Sequence, residues 1–198
     1  MTTAEPIEVT LAVTGVLERL GVEYLVGGSL ATSLHGIPRA TLDVDIVADL
    51  RMSHLGPLVA ALQEAFFVDA DMARDAIRRR ATFNILHLAT MFKVDVFVAG
   101  ADDLLAAELT RKQRVQVLEE PRADVFVASP EDMVLQKLIW YRDGGGVSDR
   151  QWGDVVGVIK TQGERLDRGY LRLWAARKGI AELVDRALAE TAAPNLEG

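Results

Sequence analysis

At 198 residues, 49% hydrophobic and 26% charged, the chain is long enough to bury a core and too apolar for extended disorder. Its 29 acidic against 22 basic residues leave a net charge of −7, which excludes a surface that holds nucleic acid by overall charge and confines any polynucleotide contact to a local patch. The absence of cysteine excludes a disulfide framework and a thiolate metal site, and three scattered histidines speak against zinc, so a hard, oxygen-ligated cation is the metal to look for.

The opening Met1-Thr2-Thr3-Ala4-Glu5 lacks the basic start of a signal peptide, and no run approaches the roughly 18 apolar residues of a membrane span, so a cytoplasmic protein without a membrane partner is expected. Val9, Leu11, Val13, Val16, Leu17 and Leu20 fall largely at helical spacing and predict an amphipathic helix over 7–20, ended by Gly21. Residues 23–26 predict a short strand that runs into Gly27-Gly28-Ser29 and a helix over 30–35. Beyond the loop at 37–41, residues 42–47 predict a strand with acids at alternate positions. Helices are predicted over 54–66 and 71–80, a hairpin from 82–88 and 92–98, a helix over 101–109, and strand-like runs over 114–118 and 124–127.

From Ser129 onward the pattern is helical throughout. Ser129 before Pro130 is a helix start, and Ser148 with Gln151 has capping-box spacing. Asp143-Gly144-Gly145-Gly146 predicts a flexible turn between these helices, and two more helices are predicted over 167–177 and 181–190. The expected fold is α+β, with a mixed, mainly antiparallel sheet, flanking helices and a helical C-terminal extension. Residues 1–110 would form the core, and residues 111–198 a mainly helical part completing a ligand cleft.

The chemistry starts at Asp43-Val44-Asp45-Ile46. On a strand both aspartates point to one face and Val44 and Ile46 to the other. Two converging carboxylates repel unless a cation sits between them, and Mg²⁺ prefers one or two carboxylates completed by water and phosphate oxygens. Solvated acids on an outer strand face are the bland alternative. A glycine turn opening a helix at Gly28-Ser29 would offer backbone N–H groups, a hydroxyl and the positive end of the helix to an anion, although a plain turn with a serine cap reads the same way. Asp95 interrupts the apolar run 92–98, where it needs a metal or a partner such as Lys93.

Glycine-serine, thirteen intervening residues (30 to 42), Asp-x-Asp on a strand and a later lone strand aspartate form an order that resembles the nucleotidyltransferase superfamily, whose fold is shared with DNA polymerase beta. The resemblance covers about residues 7–100. It implies that Gly28 and Ser29 meet the nucleotide phosphates, that Asp43 and Asp45 hold two divalent metals (Mg²⁺ or Mn²⁺), and that Asp95 completes the metal site or activates the acceptor. The segment Gly36-Ile37-Pro38-Arg39-Ala40-Thr41-Leu42-Asp43-Val44-Asp45 is similar to the AbiEii-type toxins and related bacterial proteins. That similarity adds Arg39, Lys137 and Asp154 as nucleotide-binding candidates. Trp152-Gly153 and the glycine turn before it depart from the pattern around Asp154.

Met133, Lys137 and Trp140 share one helical face, with a surface lysine and a core tryptophan as alternatives. Four-residue spacing makes an Arg150–Asp154 ion pair the default for Asp154, and Trp152 and Trp174 read as packing residues. Arg78-Arg79-Arg80 is a compact basic run, either a solvated helix face or a guide for RNA. None of His35, His54 and His87 has ligand-like spacing. The expected activity is transfer of a nucleoside monophosphate from an NTP to a hydroxyl, with tRNA or another RNA as first acceptor, protein second and a small molecule third. The alternative is a nucleotide-binding antitoxin, or another partner-binding protein of a two-gene toxin–antitoxin module, that uses the fold without turnover.

Overall fold

The structure is a computed structural model and describes residues 4–36, 41, 43–100 and 103–192. These fall into two units, one within Met1–Leu30 and Ala40–Ala128, the other within Ala31–Arg39 and Ser129–Gly198.

In the first unit the amphipathic start becomes α1 (Ala4–Arg19), which buries Val9, Val13, Val16 and Leu17. Tyr24 opens β1 (Tyr24–Val26) and donates its hydroxyl to Glu18 Oε1 at 2.7 Å, tying the strand back to α1. Burial and then the Glu18 carboxylate raise the Tyr24 pKa. The chain then enters α2 (Gly28–His35). β2 (Asp43–Ala48) and β5 (Lys93–Val98) share one alternation, every second side chain buried, because valine, isoleucine and alanine face the core and the charged residues face away.

Between them lie α3 (Met52–Leu62), β3 (Phe66–Val68), α4 (Ala70–Arg79) and β4 (Thr82–His87). The predicted helix over 54–66 therefore ends early, and Phe66 is in a strand. Phe66 faces His87 and Phe67 faces Leu86 in the antiparallel pairing with β4, a tertiary contact that helical periodicity does not record. Asp69 caps α4 by accepting from the N–H groups of Asp71 and Met72. α5 (Asp103–Arg111), β6 (Gln113–Leu118) and β7 (Ala123–Val127) complete the unit.

One seven-stranded sheet runs in the order β3-β4-β5-β2-β1-β7-β6. The β1–β7 and β2–β5 pairs are parallel and the other four antiparallel, so the sheet is mixed and mainly antiparallel.

The second unit is built from α6 (Pro130–Asp143), α7 (Asp149–Gln162), α8 (Arg168–Lys178) and α9 (Ala181–Ala192), together with the later part of α2. Both serine starts are present: Ser129 accepts from the N–H of Asp132, and Ser148 from that of Gln151. A buried polar knot joins α6 to α8. Asp132 accepts from the Ser129 hydroxyl at 2.6 Å and the Tyr170 hydroxyl at 2.7 Å, and Glu131 accepts from the Asp167 N–H at 2.8 Å. Both carboxylates sit in the first turn of α6, where the helix dipole favours them. No helix among the described residues is long and apolar enough to cross a membrane.

Candidate active site

Strand alternation sends Asp43 and Asp45 to the less buried face of β2. In the parallel pairing with β5, Asp45 lies opposite Asp95 and Asp43 opposite Lys93. Neighbouring strands are about 4.8 Å apart, so the register gathers three carboxylates and one ammonium on one patch of sheet. Thr41, buried just before β2, shares its hydroxyl between the Asp43 backbone carbonyl at 2.9 Å and Asp43 Oδ1 at 3.0 Å, which fixes that carboxylate.

Asp45 is placed from the other side. The Gly27 N–H donates to the Asp45 carbonyl at 2.9 Å, pinning the glycine turn to β2. Gly28 follows at φ +59°, and a Cβ on it would overlap Asp45 Oδ2 and lie 2.6 Å from Cγ. Only glycine meets both demands, the left-handed backbone and the space the Asp45 carboxylate fills. The predicted glycine turn thus opens α2, with Ser29 buried in its first turn and the Asp45 carboxylate against the helix N-terminus.

Lys93 Nζ stands 2.7 Å from Asp95 Oδ2; the lysine side chain is 43% exposed and the aspartate side chain 15%. The hydrogen bond to Asp95 and the fields of Asp95, Asp43 and Asp45 raise the Lys93 pKa above the usual lysine value, against a smaller lowering by burial. One ammonium therefore answers three carboxylates. The Lys93–Asp95 pair was legible from spacing as the bland reading of Asp95, whereas Asn84, which faces Asp95 from β4, became visible only with the register.

Among the described residues no group of three or more acidic or histidine side chains is arranged to hold a metal ion. The donor set fits a cation held by Asp43 and Asp45 and completed by water and phosphate oxygens, an arrangement Mg²⁺ accepts, and does not present a preformed three-carboxylate cage. Arg39, a predicted nucleotide contact, lies outside the described residues.

In the second unit, Lys137 on α6 and Asp154 on α7 form an ion pair at 2.8 Å, their side chains 5% and 10% exposed. Lys137 is thus a buried lysine, not a surface one, and Asp154 has a partner from another helix besides whatever Arg150 offers four residues away. Trp152 packs against Tyr141 under the Arg186 guanidinium, and Trp174 is buried beside Tyr170, both in packing roles. Of the basic run, Arg79 pairs with Asp75 at 2.9 Å and Arg80 binds Asp49 and the carbonyls of Leu50 and Ala99. A cavity of about 690 Å³ beside Arg142, Gly146 and Ile180 contains none of the predicted site residues.

No protein-family model matches the chain, and no curated protein sequence does. Solved structures do. The antibiotic-resistance factor ANT(2'')-Ia is similar at TM-score 0.54 and 14% identity, over 94% of this chain and 99% of that one. An antigenic nucleotidyltransferase-like protein from Paracoccidioides brasiliensis is similar at TM-score 0.52 and 17% identity, over 93% of each chain. JHP933 from Helicobacter pylori matches at TM-score 0.50 and 13% identity, over 96% of this chain and 94% of that one. The chain has a nucleotidyltransferase-like fold: an α+β mixed sheet with flanking helices and a helical C-terminal extension.

Proposed function

We propose that this protein is a metal-dependent nucleotidyltransferase that moves a nucleoside monophosphate from an NTP to a hydroxyl acceptor. The observation that carries the proposal is the meeting of Asp43, Asp45 and Asp95 on one sheet face, with Asp45 set against the Gly28 turn at the start of α2. A polar cluster built at the cost of a left-handed glycine and carboxylate repulsion is what phosphate chemistry requires, and a structural strand needs neither.

In the proposed reaction the backbone N–H groups at Gly28 and Ser29 bind phosphate oxygens, aided by the helix dipole. Asp43 and Asp45 would hold Mg²⁺ or Mn²⁺, which when bound neutralises the charge that develops on the phosphate oxygens. Asp95 orients the acceptor hydroxyl and takes its proton. The acceptor oxygen bonds to the α-phosphorus, the bond from that phosphorus to the bridging oxygen of the β-phosphate breaks, and pyrophosphate leaves with the electron pair. Lys93 holds Asp95 in place and offsets triphosphate charge. Lys137 and Asp154 enter as nucleotide-binding residues on sequence similarity, as does Arg39.

The reading is tested by calorimetric titration of ATP, GTP, CTP and UTP with Mg²⁺ into the intact protein and into Asp43→Ala/Asp45→Ala. Metal-dependent binding lost in the variant supports it; equal binding by both proteins would remove the carboxylates from the site. A toxin role is the finer proposal, checked by whether induced expression arrests growth only with the aspartates intact.

The second reading, nucleotide binding without turnover in an antitoxin or another partner of a two-gene module, draws on the Lys93–Asp95 pair, which occupies the carboxylate that would take the acceptor proton. Nucleotide binding with no pyrophosphate release, alongside a co-purifying partner protein, would favour it.

A further inference from the structure

The carboxylate face of the sheet does not end at Asp95. Register carries it across β4 to the edge strand in two rows. One row runs Asp45, Asp95, Asn84; the other runs Asp43, Lys93, Leu86, Phe67. Three strand spacings separate Asp43 from Phe67, about 14 Å, a length that accommodates a compound of two or three rings. Charge changes sharply along the rows. Past Lys93 the residues of this face on β4 and β3 are Thr82, Asn84, Leu86 and Phe67, and none is ionisable. Phe67 is 58% exposed while its neighbour Phe66 is buried, so the edge strand puts one ring into the core and leaves the other on the open face.

A single exposed phenylalanine is ordinary. This one stands at the end of a row that begins at the proposed catalytic carboxylates and carries no charge past Lys93, with an amide at Asn84 directly beside the proton acceptor Asp95. We propose that Asn84, Leu86 and Phe67 seat the acceptor, and that the acceptor is an uncharged hydroxyl compound with an apolar ring. Phe67 stacks on the ring, Leu86 lines its path, and Asn84 hydrogen-bonds a polar substituent so that the reacting hydroxyl lies at Asp95. A nucleic-acid acceptor is disfavoured by the same strip, because past Lys93 it gives phosphates no further cation to pair with. The inference rests on the transfer reading for the hydroxyl's fate, but acceptor binding at this strip does not.

The experiment is methyl and aromatic NMR of the full chain, titrated with a panel of uncharged aryl glycosides and, separately, with an octa-adenylate RNA. The wild type, Phe67→Ala, Phe67→Tyr and Asp43→Ala/Asp45→Ala are compared, each first confirmed folded by its thermal transition. Expected are glycoside-induced shifts at Phe67 and Leu86, affinity about tenfold weaker in Phe67→Ala, and near wild-type affinity in Phe67→Tyr, which keeps the ring. Shifts that persist in the double aspartate variant separate this strip from the chemistry, so a failed transfer assay would leave it standing. No shift at the strip from any glycoside, binding indifferent to Phe67→Ala, or RNA alone shifting the strip overturns the proposal.

Discussion

Asp45 faces Asp95 across the parallel pair of β2 and β5, and the Lys93 ammonium, 2.7 Å from Asp95, also feels the fields of Asp45 and Asp43. Replacing it removes a positive charge from a patch that carries three carboxylates. Lys93→Met is expected to unfold at a lower temperature than the wild type without divalent ions and to gain more from added Mg²⁺, as read by thermal unfolding. An identical Mg²⁺ response in both proteins would mean that Lys93 and the metal do not share the same carboxylates.

The same lysine sets a pH signature. Its folded pKa is raised above the ordinary lysine value, so the stability it contributes is fully present below that value and is lost as pH rises through the raised one. The difference in stability between wild type and Lys93→Met should be level across neutral and mildly alkaline pH and shrink only in strong alkali. A difference that fades between pH 6 and pH 8 would assign the effect to another group.

Gly28→Ala forces a Cβ into the Asp45 carboxylate and places a side chain at φ +59°. Destabilisation of about 1–2 kcal/mol from the left-handed backbone is expected, with a larger fractional loss of NTP binding because Asp45 must move. Denaturant titration and calorimetry on the same sample separate the two effects.

Thr41→Val removes the hydroxyl that holds Asp43. Transfer should fall about tenfold with a stability change near 1 kcal/mol, and Thr41→Ser should restore it. Loss of activity in the serine variant would point to the methyl group instead.

The Lys137–Asp154 pair is buried, so breaking it takes the Lys137 ammonium from a carboxylate that is only 10% exposed. Lys137→Met should cost about 3–5 kcal/mol, while Lys137→Met/Asp154→Leu should recover much of it, as measured by a double-mutant cycle in denaturant. Additive losses would show that the two side chains are not coupled.

These sites were unevenly legible in the sequence. β2 and β5 alternate so regularly that the face carrying Asp43, Asp45 and Asp95 follows from period two, and the caps at Ser129 and Ser148 follow from side chains that serve only their own helices. β3 was hidden because three residues carry no periodicity and its pairing with β4 is tertiary. Local spacing offered Arg150 to Asp154, but the ion pair from Asp154 to Lys137 spans 17 positions, a separation no i, i+4 rule reaches. The row from Asp43 to Phe67 crosses four strands and exists only in the register.

The measurement that bears most directly on the central claim is transfer of label from each α-³²P NTP, with Mg²⁺ or Mn²⁺, to cell extract fractionated into RNA, protein and small molecules. Wild type and Asp43→Ala/Asp45→Ala are run side by side. Label appearing in one fraction, the small molecules by the strip at Phe67, and only with the aspartates intact, is the expected result. Equal labelling by the double variant, or none by a wild-type protein that binds the NTP, would contradict the assignment of these carboxylates to nucleotidyl transfer.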